Sequence, residues 1–393
     1  MSEQTFAAAR DQGHRNLLIL LFAGFILIGI ATVIIGPMLP VFIQKWALDD
    51  RQAGFFFTVQ FASSMVGVGL SSALSAWRGY RPALILGYAL TGAGLAALNA
   101  NSHVLALAAT ASFGCGYGLV IPGTNLLVAK AGGKRGASLL NLLNFMWGGG
   151  AIACSPLVLL AQNHMRLPVL LAGLGVTGSL MVLGVMLASF QADTQGEVAE
   201  TSENSLADTG LATTIALATL FFVYVATETS VGGWAVEFAK RLANNSTGMT
   251  TLAQMFFYAG LTSGRAIAPL ILLRLHERQL VLGALVLSAA GTAILMASST
   301  LKIAILGVFL AGLGCATIYP IYIAWLSRWY GARAKTVGGV LFAVASLGGA
   351  AGPWLVGSLS KYSGNLRMGL LVPLAGAITM ICLVLLLRRQ TTA

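Results

Sequence analysis

Charge is what this sequence has least of. Only 9% of its 393 residues are Asp, Glu, Lys or Arg, against about a quarter in an ordinary soluble domain. That scarcity excludes a chain whose whole surface faces water. Cysteine is also rare: Cys115, Cys154, Cys315 and Cys382 stand in apolar runs with no CxxC pair and no neighbouring His. The pattern argues against disulfides and against a metal centre, and reads as small buried filler. The first sixteen residues are polar and lack a short apolar core followed by a small-residue cleavage site, so no removable signal peptide is expected. GKRG at 133–136 has neither the upstream glycine spacing nor the preceding strand of a phosphate loop. No nucleophile, base and orienting acid converge, so no catalytic residue, cofactor or enzymatic activity is expected.

What the sequence has in quantity is apolar length. Hydrophobic residues make up 57% and mean hydropathy is +0.83. A helix needs about 20 apolar residues to cross about 30 Å of hydrocarbon. Runs of that kind fall near 17–43, 54–76, 83–99, 103–128, 137–161, 167–190, 211–236, 249–272, 279–298, 302–327, 336–359 and 368–387. They are continuous and do not alternate at period two, which disfavours a barrel. The expected fold is an all-α membrane protein with twelve transmembrane helices.

Charge placement gives orientation. The loops on one side, which also carries both termini, hold fourteen Lys and Arg, including Arg10, Arg78, Arg81, Arg135, Arg274, Arg278, Arg328 and Arg333; those on the other hold eight. The positive-inside rule then puts both termini in the cytoplasm, in a multi-pass protein of a bacterial inner membrane. The +11 net charge is spread as short clusters along one face, which fits anionic lipid headgroups and not a nucleic acid. Between spans six and seven, QADTQGEVAETSENSLAD carries five acids and no base. It reads as a flexible cytoplasmic linker, 192–208, joining halves 1–191 and 209–393.

The halves repeat. FGCGYGLVIP ends at Pro122 and AGLGCATIYP at Pro320, 198 residues on; Gly114 and Gly116 match Gly312 and Gly314 at the same offset, and Arg135 matches Arg333. Two parallel six-helix halves are the layout of the major facilitator fold. The chain resembles that superfamily over essentially its whole length. Its signature after the second span corresponds to SALSAWRGYRP, where Gly79 and Arg81 fit while Ala76 and Trp77 replace the acid and the base. IIGPMLP, IPGTNLL, LLNLLNFMWGGGA, TETSVGGWAVEF and GLTSGRAIAP together resemble the fucose-permease-like branch, which implies a monosaccharide carried with a coupling cation. Acids that proton-coupled members of the superfamily carry in spans one and four are absent here, and Asn125 stands near the fourth-span position.

One acid lies deep in a span, Glu228 in VATETSVGG. An ionised carboxylate there costs about 2.5–3.5 kcal/mol on insertion scales unless it is protonated, hydrated or paired. Coupling to a cation, acceptance of a substrate hydroxyl and a protonated bond to a neighbouring helix all answer that cost. Arg265 is the one base inside a span, and its reading is divided between substrate contact and helix bracing. By axial rise the two differ in height by about 12 Å, so direct pairing would require a broken seventh span. A phosphorylated or dicarboxylate substrate would call for more than one such base. Neutral polarity is more plentiful. Asn141, Asn144 and Trp147 share one face of the fifth span, giving donors and acceptors for hydroxyls and a ring to stack on a pyranose. Gln60, Tyr117, Asn125, Trp234, Gln254, Tyr258, Tyr319 and Tyr322 extend the candidate binding set, each with helix packing as its alternative. The expected function is secondary transport of a neutral sugar or polyol by alternating access, with H⁺ or Na⁺ symport and membrane lipids as surroundings. The alternative is an exporter of drugs or other small metabolites on the same fold.

Overall fold

The computed structural model describes residues 3–132, 135–164, 166–188, 210–243 and 248–387. The acidic linker 192–208 lies outside them. The helices in order are α1 Glu3–Val33, α2 Ile35–Trp46, α3 Asp50–Arg78, α4 Tyr80–Ala97, α5 His103–Gly132, α6 Gly136–Asn163, α7 Leu167–Leu187, α8 Leu211–Leu242, α9 Gly248–Thr251, α10 Ala253–Leu272, α11 Glu277–Ala297, α12 Leu301–Cys315, α13 Ile318–Tyr330, α14 Ala334–Ser363, α15 Leu366–Gly369 and α16 Leu371–Leu386. No strand occurs among the described residues.

Eleven candidate membrane spans meet the requirements of length and apolar composition. The expected third span is α4, of 18 residues. It falls outside that set, and its first turn, Tyr-Arg-Pro, brings a charge and a proline into a helix with almost no length to spare.

Three expected spans are interrupted where proline chemistry demands it, the twelfth dividing into α15 and α16 at Leu370, ahead of Pro373. The first divides into α1 and α2 at Ile34, and the tenth into α12 and α13 at Ala316–Thr317. A proline ring clashes with the carbonyl four residues before it; for Pro37 that is Val33 and for Pro320 it is Ala316. Pro122, equivalent to Pro320 in the repeat, remains inside the continuous α5. Equivalent prolines therefore have unequal consequences.

The chain forms two compact units. The described residues up to Ile34 and from Ala62 to Ala188 make one; Ile35–Phe61 and those from Gly210 onward make the other. Inside the first, a Cβ on Gly150 of α6 would lie 2.1 Å from the Ile26 carbonyl of α1. Inside the second, a Cβ on Gly348 of α14, 198 residues later, would lie 2.0 Å from the Phe222 carbonyl of α8. The pattern recurs at Gly116, where a Cβ would lie 2.6 Å from the Gly87 carbonyl, and at Gly314, where the same distance separates it from Ala284. At these crossings the backbones touch, as small residues permit in the absence of a hydrophobic drive between helices.

The cytoplasm-assigned braces repeat as well. Arg81 donates to the carbonyl of Met186 in the last turn of α7. Arg278 donates to the Val384 carbonyl in the last turn of α16 at 3.4 Å. Each guanidinium thus meets the negative end of a helix dipole. Gly79, whose φ is 75°, supplies the left-handed turn that starts the first brace. Trp77, in place of the signature's base, is 72% exposed and carries Arg78 over its ring at 4.2 Å.

Candidate functional site

In the second unit α8 runs unbroken through Gly232 and Gly233, and Glu228 stands past its midpoint. Phe221, Tyr224, Glu228 and Gly232 recur at helical spacing and so share a face. Tyr224 is fully buried, while Glu228 is half-buried. The burial of Glu228 and the charge of Arg265 act on it in opposite senses. Unbroken helix and electrostatic partnership thus coexist.

Gln254, Tyr258, Leu261 and Arg265 recur at the same spacing along α10. A Cβ on Gly232 would sit 3.3 Å from the Tyr258 hydroxyl, which brings that face of α10 onto α8. Gln254 lies against the backbone of α2, 2.5 Å from a Cβ built on Gly36. On a third side, the break between α12 and α13 exposes backbone. The Tyr224 hydroxyl donates to the Cys315 carbonyl at 3.1 Å, one of the final carbonyls that a helix leaves without an internal partner. Tyr319 packs against Tyr224 with ring centroids 5.6 Å apart and against Phe221 at 5.5 Å. Tyr322 is buried, and its hydroxyl has no hydrogen-bond partner among the described residues. Glu228 and Arg265 both bear electrostatically on Tyr224, Tyr319 and Cys315. One acid, one base, two tyrosines and the Cys315 carbonyl form a single polar cluster inside an aromatic wall.

In the first unit, Asn141 and Asn144 of α6 are exposed and Trp147 is half-buried. Trp147 donates its indole N–H to Thr32 Oγ1 at 3.0 Å, and Thr32 donates to the Gly29 carbonyl at 3.0 Å. The Trp is therefore fixed against α1. Asn144 donates to the Leu140 carbonyl at 2.9 Å, and Asn125 of α5 to the Ile121 carbonyl at 2.8 Å. Each bond engages one amide N–H and leaves the Oδ1 and the second N–H outside it. Tyr117 is 3% exposed.

The remaining candidates lie deep. Gln60 and Trp234 have no exposed surface. Trp234 donates to the Pro353 carbonyl at 2.9 Å, a bond between α8 and α14. Sequence reasoning passed over Tyr224, although its place four residues before Glu228 on a helix was the available signal. It also passed over a cluster at the opposite end of α8 from Leu211, where Asp50, Glu237, Arg241 and Ser360 meet. The spacing of Glu237 and Arg241 was visible in the sequence; the other two partners were not. A further ion pair joins Arg328 to Glu277, which also accepts from the Trp325 indole at 2.9 Å.

No known family profile matches the chain. A major-facilitator-type transporter of Yersinia pestis is 26% identical over 351 residues, covering 86% of this chain and 88% of that protein. A D-xylose:proton symporter structure superimposes with a TM-score of 0.76 at 14% identity, over 96% of this chain and 98% of the other. A bacterial homologue of the human lysosomal transporter Spinster gives 0.73 at 15%, over 95% and 96%. The Escherichia coli fucose:proton symporter gives 0.61 at 16%, over 97% and 100%. Each solved structure is under 25% identical, so these likenesses speak to fold. Over nearly its whole length, the chain resembles the transporters of the major facilitator superfamily and has their fold.

Proposed function

We propose that the protein is a secondary transporter for a neutral sugar or polyol, working by alternating access between six-helix halves and coupled to proton symport at Glu228. The observation that carries the reading is the polar cluster of the second unit. Glu228 is the one carboxylate deep in a span, half-buried one helical turn from the buried Tyr224 and within the electrostatic reach of Arg265, a setting that suits a group taking up and releasing a proton during the cycle. A sodium ion is a poorer fit, because Arg265 already supplies the positive charge. On the first unit, the exposed amides of Asn141 and Asn144 beside Trp147 suit hydroxyl groups and an apolar sugar face. The fold likeness to two sugar:proton symporters supports the same substrate class.

A second reading, export of drugs or other small metabolites, is favoured by the aromatic wall of Phe221, Tyr319, Tyr322 and Phe342. A thermal-shift screen of the purified protein against monosaccharides, polyols and amphipathic amines separates the two. A ligand at 100 times its Kd adds about 2.7 kcal/mol of stability. The proposal predicts shifts with sugars or polyols; shifts with amines alone would favour export.

Once a ligand is identified, Asn144→Ala is expected to weaken its binding by about 1–3 kcal/mol, the usual cost of leaving a polar partner unmatched. Unchanged affinity, measured by titration of a normally folded variant, would remove this face from the site.

Both termini are assigned to the cytoplasm of a bacterial inner membrane. An impermeant maleimide applied to intact cells should therefore label a cysteine placed at Asn101 or Thr300 and spare one placed at His276, all three of which are exposed. The inverse pattern would overturn the orientation.

A further inference from the structure

We infer that Asp50, with Arg241, Glu237 and Ser360, is the latch that holds residues 35–61 closed on the second unit at the end of the bundle assigned to the outside. This rests on the transporter reading above. Residues 35–61 belong by sequence to the first six helices, yet they pack with α8 and α14 as part of the second unit. The seam between the first turns of α3 and the C-terminal half of α14 includes small residues in backbone contact. A Cβ on Gly54 would lie 2.8 Å from the Pro353 carbonyl, and one on Gly357 would lie 2.1 Å from the Asp50 carbonyl. One turn further along α3, Thr58 donates to the Ala350 carbonyl at 2.7 Å.

The polar cap of this seam is unusually well connected. Arg241 donates through Nη1 to Asp50 Oδ2 at 2.9 Å and through Nη2 to Oδ1. Its Nε donates to Glu237 Oε1 at 2.7 Å. Ser360 of α14 donates to Asp50 Oδ2, so one carboxylate ties α3 to both α8 and α14. The Asp50 side chain is 11% exposed and that of Arg241 38%. Nearby, Asp49 caps α3, accepting from the Gln52 N–H at 2.8 Å while Gln52 returns a bond to the Asp49 N–H at 3.0 Å. Asp49 also pairs with Lys361 at 2.7 Å, but there the side chains are 32% and 51% exposed.

The physical argument for a latch is the balance between burial and reversibility. Burying an ion pair costs desolvation that largely cancels its attraction, whereas removing one partner is strongly unfavourable. Such a pair adds little fixed stability but selects one arrangement sharply. Opening the seam returns Asp50 and Arg241 to water, which solvates both, and it parts Phe57 from Gly233 and Phe61 from Gly349, glycines that offer no side chain of their own to interlock. Asp50 also sits at the positive end of α3 and Arg241 at the negative end of α8, so helix dipoles hold each charge in place before closure.

The test needs no substrate. Thr58→Cys is introduced into a background in which Cys115, Cys315 and Cys382 are serine and Cys154, fully buried in the first unit, is retained. The protein is reconstituted in nanodiscs, and its labelling by a charged methanethiosulfonate is followed site by site by peptide mass. Asp50→Asn should raise the rate at position 58 at least tenfold and leave Cys154 unchanged. It leaves Arg241 paired with Glu237, so the fold has no stranded base. If that variant does not fold, Arg241→Lys, which keeps the charge but loses the two-pronged grip, should give at least threefold. Lys361→Ala, which breaks the exposed pair, should change the rate less than threefold. An unchanged rate at position 58, a parallel rise at Cys154, or equal effects from Lys361→Ala and Asp50→Asn would each overturn the assignment. Such a result would leave the transport reading intact, and failure to find a substrate would leave the latch intact.

Discussion

Glu228→Gln is expected to abolish uptake of substrate against its gradient while leaving exchange across the membrane in place. The amide keeps the size and much of the hydrogen bonding of the acid but carries no charge, so the site loses the two states that coupling requires. Arg265 is then left without the carboxylate that balances it, in a half-buried position where an uncompensated charge is costly. The cluster is expected to respond by drawing Arg265 toward the Cys315 carbonyl and the Tyr224 hydroxyl. In proteoliposomes, ion-driven accumulation should fall to the level of empty vesicles, and counterflow of labelled against unlabelled substrate should survive in part. Accumulation that persists in the Gln variant would remove Glu228 from coupling. Loss of binding together with counterflow would make it a direct substrate ligand.

The second large effect is structural. Gly150→Val and Gly348→Val are each expected to prevent the chain from reaching a stable fold. At these positions a single Cβ would already lie 2.1 and 2.0 Å from the backbone carbonyls of Ile26 and Phe222. Backbone cannot rotate aside as a side chain can, so α1 would have to leave α6 in one unit and α8 would have to leave α14 in the other. Overpacking of a core commonly costs about 1–3 kcal/mol, and contact with backbone places these two at or beyond the upper end. Gly149→Ala and Gly173→Ala, where an added Cβ would meet nothing within 4 Å, serve as controls. Melting curves of fluorescent fusions in detergent should show the two valine variants aggregated or strongly lowered and both controls close to the parent. Near-parental melting of either valine variant would mean that the crossing is looser than described.

Much of this architecture is legible in the sequence because a bilayer imposes length. Continuous apolar runs mark the spans, and the spacing of Gly116 and Gly314 marks the duplication, since close helix crossings tolerate little else. What is not legible depends on partners far apart in the chain. Asp50 and Arg241 are 191 positions apart, and Asp50 and Ser360 310; read singly, these are residues at loop edges. Trp234 has the polarity of a binding residue, yet its N–H goes to the Pro353 carbonyl, a partner that no local pattern announces. Proline is equally ambiguous, for Pro320 follows a break that Pro122 does not. The Asn141, Asn144 and Trp147 face followed from helical periodicity alone. Tyr224 did not enter the candidate set, because attention fell on the charge and not on the residues one helical turn from it.

The most direct test of the account is transport by the purified protein in proteoliposomes, with an acidic exterior, an alkaline interior and a panel of radiolabelled monosaccharides and polyols. The account predicts that at least one of them accumulates above its external concentration, that a protonophore collapses the accumulation, and that an internal pH dye records proton entry with the sugar. Accumulation of none of them, or accumulation that requires sodium and ignores the protonophore, would contradict it.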